Sequence, residues 1–146
     1  MKVDTVEFGG VNRIGLDSSV TGTDDISLSD LASSAGSVKL AAANGTITVN
    51  DGVAAAQAPG MAGLGISAAA DVLLDAYNVD RVADVELNAA VAAGGSVTVL
   101  ADDAIRQNAN ITAGGTIDVQ AYEGSIKMTA GTASQTQGGN ILYAAK

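Results

Sequence analysis

The side chains of this chain that could do chemistry are acidic, amide and phenolic, because it contains no Cys and no His. That composition removes thiol nucleophiles, imidazole bases and the commonest zinc ligands. Two adjacent carboxylate pairs stand out, Asp24-Asp25 and Asp102-Asp103. Each could contribute to a Ca2+ site, which needs several oxygen ligands. The Gly-Gly-x-Gly-x-Asp pattern of calcium-binding β-rolls is absent. Solvated turns are therefore the simpler reading of both pairs, with Ca2+ as the competing one. No other cofactor is expected, and no residue is assigned to a metal.

Two carboxyls about 5–9.5 Å apart in a cleft could hydrolyse a glycoside. Asp118 and Glu86 are the nearest candidates, but the repeat described below puts them on outward positions of different faces. No stack of Asp recurs across the repeats, and the 7 Lys and Arg are scattered. No catalytic residue is expected, and the chain is read as a non-enzyme. Tyr77, Tyr122 and Tyr143 could form a carbohydrate-binding surface. Against that, Tyr143 falls on an inward position and reads as core, and Tyr122 falls on a turn. Asn88 and Asn108 recur at equivalent positions and predict a buried or half-buried amide ladder at a corner, with ligand binding as the alternative. The glycine-rich stretches are not phosphate loops, since no Gly-Lys-Ser/Thr follows them.

The elements that position these residues follow from composition and repetition. Apolar residues make up 47% of the 146 residues, yet aromatics only 3%. The core must therefore be built from Ala, Val, Ile and Gly, and small β-branched side chains suit a narrow interior between stacked strands. A net charge of −9 excludes a nucleic-acid groove and an anionic membrane surface. The longest uncharged run, Gly52 to Ala70, carries Gln57 and Pro59 among many Ala and Gly, so membrane insertion is not expected. Asp4 and Glu7 stand too close to Met1 for a secretory h-region.

Internal repetition is the dominant signal. Val85–Gly95 aligns without a gap on Ile105–Gly115 at an offset of 20, and the match continues from Ser96–Val99 into Thr116–Val119. Gly36–Val49 aligns on Gly115–Met128 at an offset of 79, close to four such periods. The unit has an anchor strand of pattern apolar-x-apolar at Val38–Leu40, Val72–Leu74, Val97–Val99, Ile117–Val119 and Ile141–Tyr143. A second strand begins near Ile47, Ile105 or Ile126, and a third near Ile66, Val91 or Ile111. Successive anchors follow one another at offsets of 34, 25, 20 and 24. The excess over the basic period is expected between strands, near Asn50–Gly65, Tyr77–Ala83 and Gly131–Gly139, the first as a loop extruded around Pro59-Gly60.

Strands this short cannot stand alone, so each must pair with its equivalent one coil away. The fold expected is all-β, a right-handed parallel β-helix of about six coils, the hand following from crossover chirality. At ~4.8 Å per coil the rod would be roughly 30 Å long. Val97, Val99, Ile117 and Val119 should point inward. Lys39, Thr48, Glu86, Arg106, Lys127, Thr98 and Asp118 should point outward. Glycines should permit sharp corners. A β-sandwich is the rival, but would not require the ungapped self-match. One solenoid domain is expected over residues 1–146, with residues 1–23 a poorly matched N-terminal coil or cap and residues 50–65 an inserted loop.

The string from Ala93-Gly-Gly-Ser-Val-Thr-Val-Leu-Ala through Ile105-Arg-Gln-Asn-Ala-Asn-Ile-Thr-Ala-Gly-Gly resembles the haemagglutinin-type repeats of filamentous haemagglutinin and other very large bacterial exoproteins. Asn88 and Asn108 fall on that pattern's Asn position. The resemblance runs from Asp24 to the C-terminus with interruptions. It implies export across a bacterial envelope, an extracellular or cell-surface location, and a structural or adhesive role. The secretion domain of such proteins is not recognisable, so the chain reads as an interior piece or a small relative. The last strand is followed by neither a completed coil nor a capping helix, which predicts end-to-end self-association or a longer chain. The alternative is an adhesive module that recognises a glycan or surface partner through its extruded loops.

Overall fold

The computed structural model describes residues 18–22, 25–53, 57, 59–78, 80 and 82–146, the side chains of residues 18–22 excepted. All regular structure in this part is β, arranged as three parallel sheets stacked into a solenoid. The first sheet runs β1 (Ser18–Gly22), β4 (Val38–Ala43), β7 (Val72–Tyr77), β10 (Val97–Ala101), β13 (Ile117–Ala121) and β16 (Ile141–Ala145). The second contains β2 (Ile26–Ser29), β5 (Ile47–Asn50), β8 (Val85–Leu87), β11 (Ile105–Gln107) and β14 (Ile126–Met128). The third contains β3 (Leu31–Ser33), β6 (Leu64–Ala68), β9 (Ala90–Ala93), β12 (Ile111–Ala113) and β15 (Ser134–Thr136).

The pairing is the one the self-alignment demands. Val97 stands beside Ile117 and Val99 beside Val119. Val38 stands beside Val72, although the longest insertion of the chain lies between them. With six strands in one sheet and five in the others, the described residues make about five turns, where the sequence suggests six. β1 is not evident from the sequence, because Ser18 replaces the first apolar residue of the anchor pattern. Its backbone nevertheless pairs in register with β4 from Val38 to Ala42. The rest of the poorly matched N-terminal stretch, residues 1–17 with Thr23 and Asp24, lies outside the described residues.

Alternation sends every second side chain inward. Ile26, Ile47, Val85 and Ile105 form one buried column, and Val38, Val72, Val97 and Ile117 another. Thr48, Glu86, Arg106 and Lys127 form the outward row between the inward columns of the second sheet. Lys39 holds the equivalent position in the first sheet, beside Leu73. Truncating one of the buried Ile residues to Ala would cost about 2–5 kcal/mol.

The insertions are distributed more finely than expected. The second one lies between β7 and β8 as anticipated. The third is split among three corners. The offset between paired residues is 21 from Ile105 to Ile126, 23 from Ile111 to Ser134 and 24 from Ile117 to Ile141. One extra residue therefore precedes β14, outside the expected Gly131–Gly139, and β15 itself occupies the middle of that stretch. The first insertion is not confined to a loop either. Leu64 pairs with Ala90 and Ile66 with Val91, so Gly65 is an extra residue inside β6. A Cβ there would stand 2.4 Å from Val49 Cγ1 and 2.9 Å from the Asn50 carbonyl oxygen, which is why the bulge residue is glycine. The described residues of the connection between β5 and β6 are tied to the coil, Gly52 donating to Asp30 at 3.3 Å. Met61 is buried, and Asp51 accepts from Gln57 and, at 3.1 Å, from the Gly63 amide.

Repeated glycine pairs serve a purpose different from the one expected. Gly94, Gly95, Gly114 and Gly115 have ordinary φ values. What requires glycine is contact with the preceding coil. A Cβ on Gly114 would lie 2.0 Å from the Gly94 carbonyl oxygen, and one on Gly94 would lie 2.2 Å from that of Ala69.

Candidate functional site

Many polar side chains among the described residues bond to the coil above or below. The residue just before six of the strands shows a common pattern. Its side-chain oxygen accepts the backbone N–H of the equivalent residue one coil later. Asp25 receives Thr46 at 2.7 Å, Asp84 receives Ala104 at 2.9 Å, and Asp71 receives Ser96 at 2.7 Å. Ser37 receives Asp71 at 3.2 Å, Ser96 receives Thr116 at 3.1 Å, and Asn110 receives Ala133 at 2.8 Å. These bonds satisfy backbone amides at the corners, and the three with Asp acceptors are charge-assisted. This relay gives three of the 16 acidic residues a structural role. Its sequence signal is an Asp, Ser or Asn immediately before a strand of alternating pattern.

Of the two proposed carboxylate pairs, only Asp25 joins this scheme. Asp25 is a relay residue, while Asp24 lies outside the described residues. Asp102 accepts the Asn78 amide at 2.8 Å. Asp103 lies beneath Gly124, whose hypothetical Cβ would come within 2.2 Å of its Oδ1. Among the described residues, no three acidic side chains converge as a metal site would need. Asp118 and Glu86 are not brought together. Asp118 accepts both Gln120 contacts at 2.9 Å on the first sheet. Glu86 faces out from the second, 3.0 Å from Arg106. Arg106 also reaches Asp84 at 2.7 Å, and that hydrogen bond and charge raise its guanidinium pKa further.

An acidic residue that the sequence reading missed is Asp30. It forms the single-residue corner between β2 and β3 at φ 53° and is buried. Burial pushes its carboxyl above the ordinary 3.8, the Gly52 amide at 3.3 Å opposes this, and the Asp51 charge adds to it. A Cβ on Gly52 would collide with the Asp30 carboxylate, so the Asp51-Gly52 turn and this corner are built for each other.

The amide ladder exists and is longer than two residues. Asn108 Nδ2 donates to Asn88 at 2.8 Å, Asn88 to Asn50 at 3.2 Å, and Asn50 to Ser27 at 3.3 Å. Thr129 completes it, donating to Asn108 at 2.6 Å. Contrary to the expectation of burial, Asn88 and Asn108 are exposed, because the corner turns their side chains to solvent while the neighbouring Leu87 and Gln107 fill the core.

Tyr143 points inward beside Val119, as expected of core. Its hydroxyl contacts Gln107 Oε1 and Ser134 Oγ, both at 2.5 Å. Gln107 is fully buried in the column otherwise formed by Leu28, Val49 and Leu87, and its Nε2 donates to Ser134 at 3.1 Å. Tyr77 and Tyr122 behave differently. Backbone bonds from Asp102 to Ala76 at 3.0 Å and from Tyr122 to Ala101 at 2.9 Å carry the first sheet's register past its strand ends. They set Tyr77, Asp102 and Tyr122 in one outward row. Beside this row opens a groove of about 600 Å³, lined by Asn78, Asp102, Gln120, Tyr122, Glu123 and Lys146, with Ala between them.

The last coil differs from those before it. Ile141 is 46% exposed where its predecessor Ile117 is 1% exposed. Met128 is 46% exposed where Gln107 is fully buried. β14, β15 and β16 each pair on one side only among the described residues. The chain matches no family model, no curated protein and no solved structure.

Proposed function

We propose that this chain is a structural β-solenoid segment of a secreted, cell-surface fibrous protein of the bacterial haemagglutinin-repeat kind, serving as a stalk or self-assembling filament subunit without catalytic activity. The observation that carries this reading is the mode of stacking: equivalent strands pair one coil apart in three parallel sheets, a form that extends by adding coils. Among the described residues, the last coil leaves the inward positions Ile141 and Met128 exposed. A further coil of the same parallel type would bury those side chains and complete the ladders. The relay favours the same occupant, since Ser125 and Asn140 precede strands and offer oxygens where earlier coils receive an amide. Stacking of copies would be heterologous and would lengthen with concentration. Sedimentation velocity and electron microscopy over a concentration series test this. Rods that lengthen with concentration, and shorten in Ile141→Arg, are expected. Monomers at every concentration contradict the filament form.

A second reading is an adhesive module acting through the loop over residues 51–63. It is favoured by the bonds that tie Gln57 and Gly63 to Asp51 and by Val53, which lies in that stretch and is 76% exposed. Replacing residues 53–60 with a short Gly-Ser link should abolish binding to a surface partner while sparing assembly.

A further inference from the structure

The outward face of the first sheet carries two adjacent rows of side chains that lie outside the buried core. One holds Tyr77, Asp102 and Tyr122, and the other, two residues earlier, holds Asp75, Leu100 and Gln120. Tyr77 is 47% exposed and Tyr122 44%, in a chain that has only three Tyr, one Phe and no Trp. Neither ring contributes to the buried core, whereas the third tyrosine does. The two rings lie two coils apart, about 10 Å along the solenoid axis, with a carboxylate between them.

We infer that this face binds an extended neutral glycan lying across the coils, with Tyr77 and Tyr122 as stacking platforms and Asp102 and Gln120 as hydroxyl partners. Exposed rings offer apolar faces to the C–H surface of a pyranose, and carboxylates and amides accept or donate to its hydroxyls. An extended chain turns alternate rings to the same side, which suits two platforms separated by one acidic coil. Asp102 spends Oδ2 on the Asn78 amide, which fixes the side chain, and Oδ1 has no protein donor among the described residues. The groove beside Tyr122 gives the chain a wall on one side. Charge selects the class of ligand. Asp75, Asp102 and Glu123 edge the face, and the Asp75 carboxyl is pushed up by burial, held down by Lys39, and raised again by Asp102. The nearest cation in the groove, Lys146, is already 3.8 Å from Glu123. An anionic polysaccharide would meet repulsion here, on a chain of net charge −9.

This inference does not rest on the stalk reading, and it places binding away from the 51–63 loop. Titration calorimetry of the full chain with cellohexaose, maltohexaose, mannohexaose, xylohexaose and chitohexaose tests it, with polygalacturonate as the anionic control. At least one neutral hexasaccharide should bind. Tyr122→Ala and Tyr77→Ala should each weaken it about tenfold. Tyr122→Phe should restore binding, and all three variants should keep the wild-type melting curve. Replacing residues 53–60 should leave binding unchanged. The inference is overturned if none of the five neutral sugars binds, if the Tyr→Ala variants bind as wild type, or if polygalacturonate binds as well as the neutral chains.

Discussion

Gly114→Ala is the sharpest probe of how the coils fit together. The added methyl would lie 2.0 Å from the Gly94 carbonyl oxygen, far inside contact distance, and that oxygen belongs to backbone. Relief requires the two coils to separate locally. That would strain the bonds from the Gly114 amide to Ala93 at 3.0 Å and from the Gly115 amide to Gly95 at 2.8 Å. Overpacking costs about 1–3 kcal/mol and each weakened bond about 1 kcal/mol, for a total of about 3–5 kcal/mol. Gly131→Ala is the matched control. Gly131 has φ 89° and open space around its missing Cβ, so only conformational strain of about 1–2 kcal/mol applies. Urea unfolding monitored by circular dichroism gives both values. Because solenoid stability is a sum of neighbour terms, amide exchange should also show that Gly114→Ala loosens β12 and β15 more than β3 and β6. Equal costs for the two substitutions would refute the argument that coil-to-coil contact dictates the glycine pairs.

Two other perturbations follow from buried polar groups. Asp30→Asn should raise the melting temperature at pH 7, because it removes a buried charge while Asn tolerates the φ of 53°. The folded-state pKa lies above the ordinary 3.8, so between those two values the folded chain holds more protons and loses stability as pH rises. The advantage of Asp30→Asn should accordingly vanish as pH falls through that window, and melts at stepped pH check it. Gln107→Ala should cost about 2–4 kcal/mol, since it leaves a cavity and deprives Tyr143 and Ser134 of their shared partner. Chemical denaturation measures the loss, and a change under about 1 kcal/mol would contradict the network.

The coil was legible in the sequence where spacing stays constant. Val85–Gly95 and Ile105–Gly115 keep the same offset at every position, so their strands, registers and corner Asn residues could be read directly. Legibility failed where insertions break the period. Tyr77 and Tyr122 share a row only through Asp102, and the offset from Tyr77 to Asp102 differs from that between Asp102 and Tyr122, so no single period connects them. The split of the last insertion among three corners was hidden for the same reason. Gln107 broke the apolar pattern because its partners, Ser134 and Tyr143, come from other sheets. The glycine pairs were visible, but their cause was not. A close approach to the preceding coil leaves no sequence mark that distinguishes it from a turn.

The central claim is that equivalent strands stack in chain order as one parallel ladder. Lys39, Leu73, Thr98, Asp118 and Leu142 occupy one outward row of the first sheet, one residue per coil. The chain has no Cys, so pairs of spin labels can be placed on these positions alone. Electron paramagnetic resonance from Lys39 to each of the others should give distances that grow by ~4.8 Å per strand, reaching about 19 Å at Leu142. Distances that fail to increase in that order would contradict the solenoid.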